Sequence, residues 1–535
     1  MKFPRLSGSR PAGDRLVQFK GYNNTDGATK GEFTAMENMS SRRYPLLSPR
    51  RPRGTVRELG KANGLLAREK LLWADGDGLY YDATKVCDLE DSEKTFISFG
   101  AYVIIFPDKV MFNTADGTLK EMEQSFTSTG NVTYKQSWLT ESELDSEGQV
   151  YIQIGASGIH EGFQKGDGVE LSGFTVEALN GYHVIQDIGT DWIKIIAAID
   201  EDGSQTGAVT ITRKLPECDH WTAAENRLWG CSSANHEIYA SKLGDPTNFY
   251  CYDGLASDSY AATIANDGDF TGAITYLGYV MFFKENSVHK VYGSKPSNFQ
   301  IVEGQLRGVA KGCAKSMQIV NEVLYYKSAS GIMSFQGALP DEVGDVLEGG
   351  YTVAEAGTVG NKYYISMYSS AEADANKAEP QKKDGKYHLF VYDARLGVWH
   401  REDNTQARWF TKRGDTLYYL DGNTIKTIEG NDLEVVEWSA DTSDFTYQAA
   451  ESKFVSRVSI RAEVPWGSAL EVWIDYDSLG VWQRLKSVGG KTKNIINLPL
   501  IPRRCDHFRL RFCGYGEAAV HDMTIYLTTG SNERR

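Results

Sequence analysis

Long apolar runs are missing from this 535-residue chain. No window approaches the eighteen or so consecutive apolar residues of a membrane-spanning helix, about the length needed to cross a bilayer. The N-terminal MKFPRLSGSRPAGDR lacks the apolar stretch of a secretory signal, so synthesis in the cytoplasm is expected. Cysteine is sparse. Seven residues, an odd number with no C-x-x-C pair, run from Cys87 to Cys513, which argues against a disulfide framework or a thiolate zinc site and leaves buried thiols. Nine histidines show no H-x-H or H-E-x-x-H spacing, and no G-x-S-x-G elbow occurs. The phrase GDGVELSG is a turn and a strand with no lysine where a phosphate loop needs one. With 71 acidic residues, any two carboxylates could be nominated as a catalytic pair without meaning. These absences predict no catalytic residue, no metal, no cofactor and no enzymatic activity.

What is present reads as β structure. Glycine (53), tyrosine (29) and phenylalanine (22) are abundant, and aromatic residues favour strands while glycine supplies the positive φ of tight hairpins. Long amphipathic helical patterns are hard to find. Short apolar runs bounded by Gly, Asp and Asn recur instead: LLWADGDGLYY (71–81), YVIIFPDKVMF (102–112), NRLWGCSSANHEIYA (226–240), YVMFFKENSVHKVY (279–292), VLYYKSASGIMSF (323–335), YHLFVYDARLGVWH (387–400) and TLYYLDGNTIKTI (416–428). Each has the form of an antiparallel hairpin. Their period of about 40 to 50 residues predicts an all-β chain with a β-propeller of six or seven blades.

At this length more than one domain is expected. Residues 1–60 are expected as an extended basic N-terminal arm, and 61–129 with 214–438 as the propeller. Residues 130–213, with five alternating strands, predict an inserted small β-barrel. Residues 439–535, with six, predict a C-terminal β-sandwich. The polar stretch Ser369 to Asp384 reads as a loop between blade strands.

Charge is unevenly spread. Residues 1–70 hold 15 Lys and Arg against 6 Asp and Glu (+9), so the remaining residues, with 42 against 65, carry −23. The cluster Arg42, Arg43, Arg50, Arg51 and Arg53 lies among three prolines, which exclude a helix. It is a candidate interface arm, gripping an acidic neighbouring ring or DNA phosphate by bidentate contacts. The alternative is an arm pinned to the chain's own acidic body and aromatic rings.

Asp75, Asp77 and Asp82, and likewise Asp200 and Asp202, have the alternation of a calcium loop, but Asp-Gly is also the commonest hairpin turn and neither set matches the twelve-residue loop. The echo YDARLGVW (392–399) and YDSLGVW (476–482) lacks the spacing of a sialidase aspartate box and the Ser or Thr at the places that motif needs them. In it Asp393 and Asp477 would begin turns, Gly397 and Gly480 would take positive φ, and Trp399 and Trp482 would cover the hairpin.

The phrases NRLWGCSSANHEIYASKLGDPTNF, YVMFFKENSVHKVYGSKPSNFQIVEGQLRGVAKGCAKS and VLYYKSASGIMSFQGALPDEV resemble the tail nozzle or packaged-DNA stabilisation proteins of short-tailed bacteriophages and prophages. The N-terminal FKGYNN and MENMSSRRYPLLSPRRPRG and the C-terminal IPRRCDHFRLRFCGYGEAAVHDMTIYLTTGS fit the same group. The resemblance implies a structural protein of the virion tail, a propeller subunit in a closed ring, a homo-hexamer, that extends or closes the DNA exit channel. Implied partners are neighbouring tail, adaptor or portal proteins, tail fibres, and genomic DNA in the channel; the −23 carried outside residues 1–70 predicts a channel wall that repels DNA phosphates, so the polymer slides without sticking. The inserted barrel departs from the simplest nozzle pattern. A second expectation is therefore a receptor-binding or fibre-anchoring module that holds host glycans on exposed aromatics such as Tyr182 and Trp192. A third is a propeller glycosidase.

Overall fold

The computed structural model describes residues 12–137, 151–369, 386–447, 453–501 and 503–529. The chain forms two compact units, residues 1–75 with 315–535 and residues 76–314. Both are built of strands, and among the described residues the only helical pieces are single 3-10 turns. Among the described residues no helix is long and apolar enough to cross a membrane.

Each of the seven hairpins read from the sequence lies in its own four-stranded antiparallel sheet, and these sheets are the blades of a β-propeller. The second unit holds the blades 95–121, 220–263 and 272–305. The first holds 318–342, 351–401, and a blade made of 407–427 with Gly54–Glu58. The remaining sheet covers 62–88, and the chain passes from one unit to the other at its central turn.

Two turn chemistries set the registers. In Thr416–Asp421 and Thr424–Thr427, Asp421 pairs Thr424 and Gly422 takes φ +57°, which a Cβ would resist. In the blades 220–263 and 318–342 the same two-residue turn is made without glycine, by Glu225-Asn226 and Asn321-Glu322, all at positive φ. Alternation then buries one stripe per strand, as in Trp229, Cys231, Ile238, Ala240, Val280 and Phe282, all 5% exposed or less, between the blades 220–263 and 272–305.

Residues 124–213 form two further sheets around one core. Gln124–Thr127, Thr210–Arg213, Gly168–Ser172 and Gly181–Val184 make the first. Asp187–Gly189, Trp192–Ile196, Tyr151–Gly155, Asn131–Ser137 and Gly203–Thr206 make the second. Val132, Ile152, Ile154, Val169, Leu171, Ile193, Ile195 and Ile211 meet between them with almost no exposure. The ends of the chain share a nine-stranded sheet. Lys453–Tyr476 is 24 residues long and pairs Ala519–Thr529 along its first half and Phe508–Tyr515 along its second. The sheet folds about the register shifts near Val464 and Ala469, and both halves bury one core that includes Val458, Ile460, Leu470, Val472, Leu510, Phe512 and Ile525.

The expectation of an extended N-terminal arm needs correction. Ala12–Leu16 pairs the C-terminal strand Ala519–Thr529, Glu32–Glu37 pairs Glu437–Thr442, and Gly54–Glu58 is the fourth strand of the last blade. The reason is satisfaction of backbone groups: each segment covers a sheet edge that would otherwise stand open. Residues 1–11 of the arm and 370–384 of the expected loop lie outside the described residues.

Candidate functional site

The five arginines of the cluster all find carboxylates within the first unit. Arg53 is buried: its Nη2 donates to Glu402 at 2.5 Å and Asp403 at 2.9 Å, and its Nη1 to the Ile428 carbonyl at 3.1 Å. Arg50, also buried, grips Glu434 through both terminal nitrogens at 2.7 and 3.1 Å and donates from Nε to Asn38 at 2.6 Å. Arg43 meets Glu463 at 2.9 Å, Arg42 lies 3.5 Å from Glu517, and Arg51 meets Glu429 at 3.1 Å. The carboxylates come from the last two blades and the terminal sheet, so the basic segment is tied down by its own chain's acids.

Arg50 and Arg53 also line a cavity of about 610 Å³ with Asp403, Asn404, Thr405, Tyr419, Lys426 and Asp432. A second cavity of about 760 Å³ shares Glu37, Asn38 and Glu434 with it and extends over Glu471, Ser487 and Tyr515 of the terminal sheet. Burial opposes ionisation of Asp403, but Arg53 and then Arg50 overcome it and hold the carboxyl down to about 2. Glu434 is likewise held low: burial works against it, and the hydrogen bonds from Arg50 and the Arg53 backbone N–H outweigh that. Both carboxylates are ionised at neutral pH, so this pair offers no proton for general acid chemistry.

The second candidate lies in the second unit, where the inserted domain meets the blade 220–263. The loop NFYCYDG after Thr247 packs against the turn before Gly168–Ser172. Gly168 N–H donates to the Asn248 side chain at 3.2 Å, Asn248 and Lys242 donate to the Gly166 carbonyl at 2.8 and 3.0 Å, and Gln186 donates to Asp253 at 2.8 Å. Backbones approach so closely that a Cβ on Gly168 would stand 2.2 Å from the Tyr250 carbonyl carbon.

On this seam the Tyr182 ring, 55% exposed, stacks on Tyr250 with centroids 4.5 Å apart and planes at 23°. Burial raises Tyr182, and Glu170 adds to it. Tyr252 is 51% exposed, donates to the Phe249 carbonyl, and is pushed up to about 12 by burial with help from Glu237. All three phenols are neutral donors at physiological pH.

Trp192 does not join this platform. Its ring lies against Gly189 and under the Lys194 ammonium at 4.9 Å, and among the described residues no ring contact links it to Tyr182. Tyr250 and Tyr252 were missed by the sequence reading, although the alternate tyrosines of FYCYD are a visible signal.

The aspartates with calcium-like spacing act in turns and caps. Asp75 accepts the Lys61 N–H at 2.7 Å and Asp202 accepts the Gln136 N–H at 2.8 Å. Among the described residues a closer grouping is Cys251, Asp253 and Asp258, but burial pushes the Cys251 thiol up to about 11. It is a protonated thiol 3.9 and 3.8 Å from the two carboxylates. In the echoed motif Asp393 accepts the Arg395 N–H at 3.2 Å and Gly397 takes φ +67°, as expected of a turn. The second copy differs: Asp475 accepts the Gly480 N–H, while Asp477, at φ +55°, reaches across to the Asp506 N–H. Trp482 lies under Arg509 and Arg511.

No family model and no curated protein matches this sequence. Solved structures with similar arrangements include the endosialidase of phage phi92, at 10% identity over 90% of this chain and 82% of that one, with a TM-score of 0.28. Kluyveromyces lactis Hsv2 has 10% identity over 64% and 97%, TM-score 0.28. The exo-β-1,3-galactanase of Phanerochaete chrysosporium has 9% over 96% and 100%, TM-score 0.22. At these scores the likenesses assign neither activity nor substrate to this chain. The expectation of a protein without enzymatic activity is nevertheless corrected: glycosidases stand among the structures it is similar to, and the absence of chemistry is not a conclusion.

Proposed function

We infer that this chain is a saccharide-binding structural component of a bacteriophage tail, located in the virion, with the sugar lying on Tyr182. The phage assignment is supported by the resemblance of its phrases to tail proteins. The binding assignment is carried by one observation, the exposed Tyr182 ring stacked at 4.5 Å on Tyr250. An aromatic face with neighbouring hydroxyl and carboxylate groups matches the alternating C–H and O–H surface of a pyranose. The backing ring and the seam hold Tyr182 in place before binding, which lowers the ordering cost. Glu170 and Asp253 give the platform an acidic border, so it favours neutral or amino sugars over sialylated ones.

Glycan-array binding by the full chain, followed by calorimetry on Tyr182→Ala, tests this. Loss of one stacking face, worth about 0.5–1.5 kcal/mol beyond area, weakens binding by up to about tenfold. Failure of the full chain to bind any glycan sinks the reading. A second reading, a subunit of a ring around a DNA channel beside adaptor or portal proteins, is favoured by the strand Gln483–Leu498, which among the described residues is paired along one side only.

A further inference from the structure

A serine, a histidine and an aspartate meet at one end of the terminal sheet, outside both sites above. Tyr476↔Phe508 is the last pair between Lys453–Tyr476 and Phe508–Tyr515, and further contacts hold the two segments together beyond it. The Asp477 N–H donates to the His507 carbonyl at 3.0 Å, and Asp477 Oδ1 accepts the Asp506 N–H at 2.7 Å. Asp477 and Ser478 take φ +55° and +49°, and the Leu479 N–H closes their turn on the Tyr476 carbonyl at 3.3 Å. Neither is glycine, so the surroundings hold Ser478 in a conformation that L side chains rarely adopt, with its hydroxyl beside His507.

Ser478 Oγ lies 2.9 Å from His507 Nε2, and His507 Nδ1 lies 2.9 Å from Asp506 Oδ2. Donor chemistry sets the proton positions. The hydrogen bond from His507 holds Asp506 below the ordinary carboxylate range, and a carboxylate only accepts. Nδ1 of the neutral ring therefore carries the hydrogen, Nε2 is the acceptor, and the Ser478 hydroxyl donates to it. This is the order of nucleophile, general base and orienting carboxylate. Asp444 stands 3.9 Å from Nε2 and 3.5 Å from Ser478 Oγ, so an imidazolium formed there meets negative charge on two sides. Ser478 is exposed while the His507 side chain is only 21% exposed, which leaves the hydroxyl open to a substrate and the ring largely shielded.

We propose that Ser478, His507 and Asp506 form a hydrolytic site for uncharged carboxylic esters. Ser478 Oγ attacks the ester carbonyl carbon while its proton passes to His507 Nε2. The bond from that carbon to the alcohol oxygen breaks, and the oxygen takes the proton from Nε2. Water then attacks the acyl carbon and gives a proton to Nε2. The bond to Oγ breaks, the carboxylic acid leaves, and Nε2 returns the proton to Ser478. Asp444, Asp477 and Asp506 disfavour anionic substrates, and Leu479 and Val481, 59% and 61% exposed on the same loop, offer the acyl group an apolar rest. This inference does not rest on the saccharide platform, which lies in the other unit.

The full chain is tested with p-nitrophenyl acetate and, separately, with a fluorophosphonate that captures activated serines. The expected results are turnover above the buffer rate and a phosphonyl adduct mapped to Ser478 by peptide mass spectrometry. Ser478→Ala and His507→Gln each return turnover to the buffer rate with the circular dichroism spectrum unchanged. Asp506 acts through the ring, so Asp506→Ala is expected to lower kcat about tenfold or more with KM in place, and Asp506→Glu to recover part of it. The adduct forms on the unsubstituted chain and gives an independent reading should a variant fail to fold. No turnover by the parent chain, turnover that survives Ser478→Ala, or an adduct anywhere but Ser478 overturns the proposal.

Discussion

Replacing Arg53 by alanine is expected to destabilise the first unit by about 3–5 kcal/mol, the cost of removing one partner from a buried ion pair. The side chains of Arg53 and Glu402 are 6% and 3% exposed and that of Asp403 16%, so removing the guanidinium leaves two carboxylates largely shielded from solvent. A separate signature comes from Asp403, which the arginines hold at about 2 against an ordinary 3.8. A carboxyl with a depressed folded pKa stabilises the protein above its ordinary pKa, and that contribution fades as pH falls from about 4 to about 2. Its full size is about 2 kcal/mol.

Urea unfolding followed by tryptophan fluorescence, on the parent and on Arg53→Ala, measures both quantities at about pH 7 and at about pH 3. The variant loses stability at the higher pH and shows a shallower decline on acidification. A loss below about 1 kcal/mol, or an unchanged decline, would refute the assignment of Arg53 as the buried clasp between the N-terminal segment and the last blades.

Tyr182→Ala is expected to weaken saccharide binding by up to about tenfold while leaving the unfolding curve in place, as calorimetry and denaturation would show. Gly168→Ala forces a Cβ against the Tyr250 backbone, so the seam opens, and limited proteolysis should cut the loop 242–253 sooner. Burial, with Lys362 adding to it, pushes His400 down to about 3, so its ring stays neutral in the folded protein between about pH 5 and 8. His400 therefore costs stability as pH falls below about 6.5, and His400→Gln should flatten that slope; a ring proton that titrates near neutrality by NMR contradicts this. Deleting residues 54–58 leaves Thr424–Thr427 unpaired on its outer edge, and the soluble yield is expected to fall.

The hairpins were legible because their physics is local. An apolar strand, a polar turn and a return strand are contiguous, so Tyr279 to Tyr292 announces itself. First strands such as His220–Ala224 and Gln318–Val320 were not seen, since Glu-Asn and Asn-Glu make their turns in place of a glycine signal. In the inserted domain, Asn131–Ser137 and Gly203–Thr206 were missed because their residues are half polar and one face is exposed. The candidate platform was half legible: Tyr182 was named, but its partner Tyr250 lies 68 positions on, beyond any local pattern.

By itself the sequence determined the strand class, the hairpin count and the segregation of charge, because turn propensity, alternation and composition act over a few residues. Tertiary structure decided what the basic N-terminal segment does, which edge it closes, and which tyrosines meet. Those outcomes depend on sheet edges and carboxylates hundreds of residues away, Arg53 with Glu402 and Asp403, Leu16 with Met523, and only folding brings such groups within hydrogen-bonding distance.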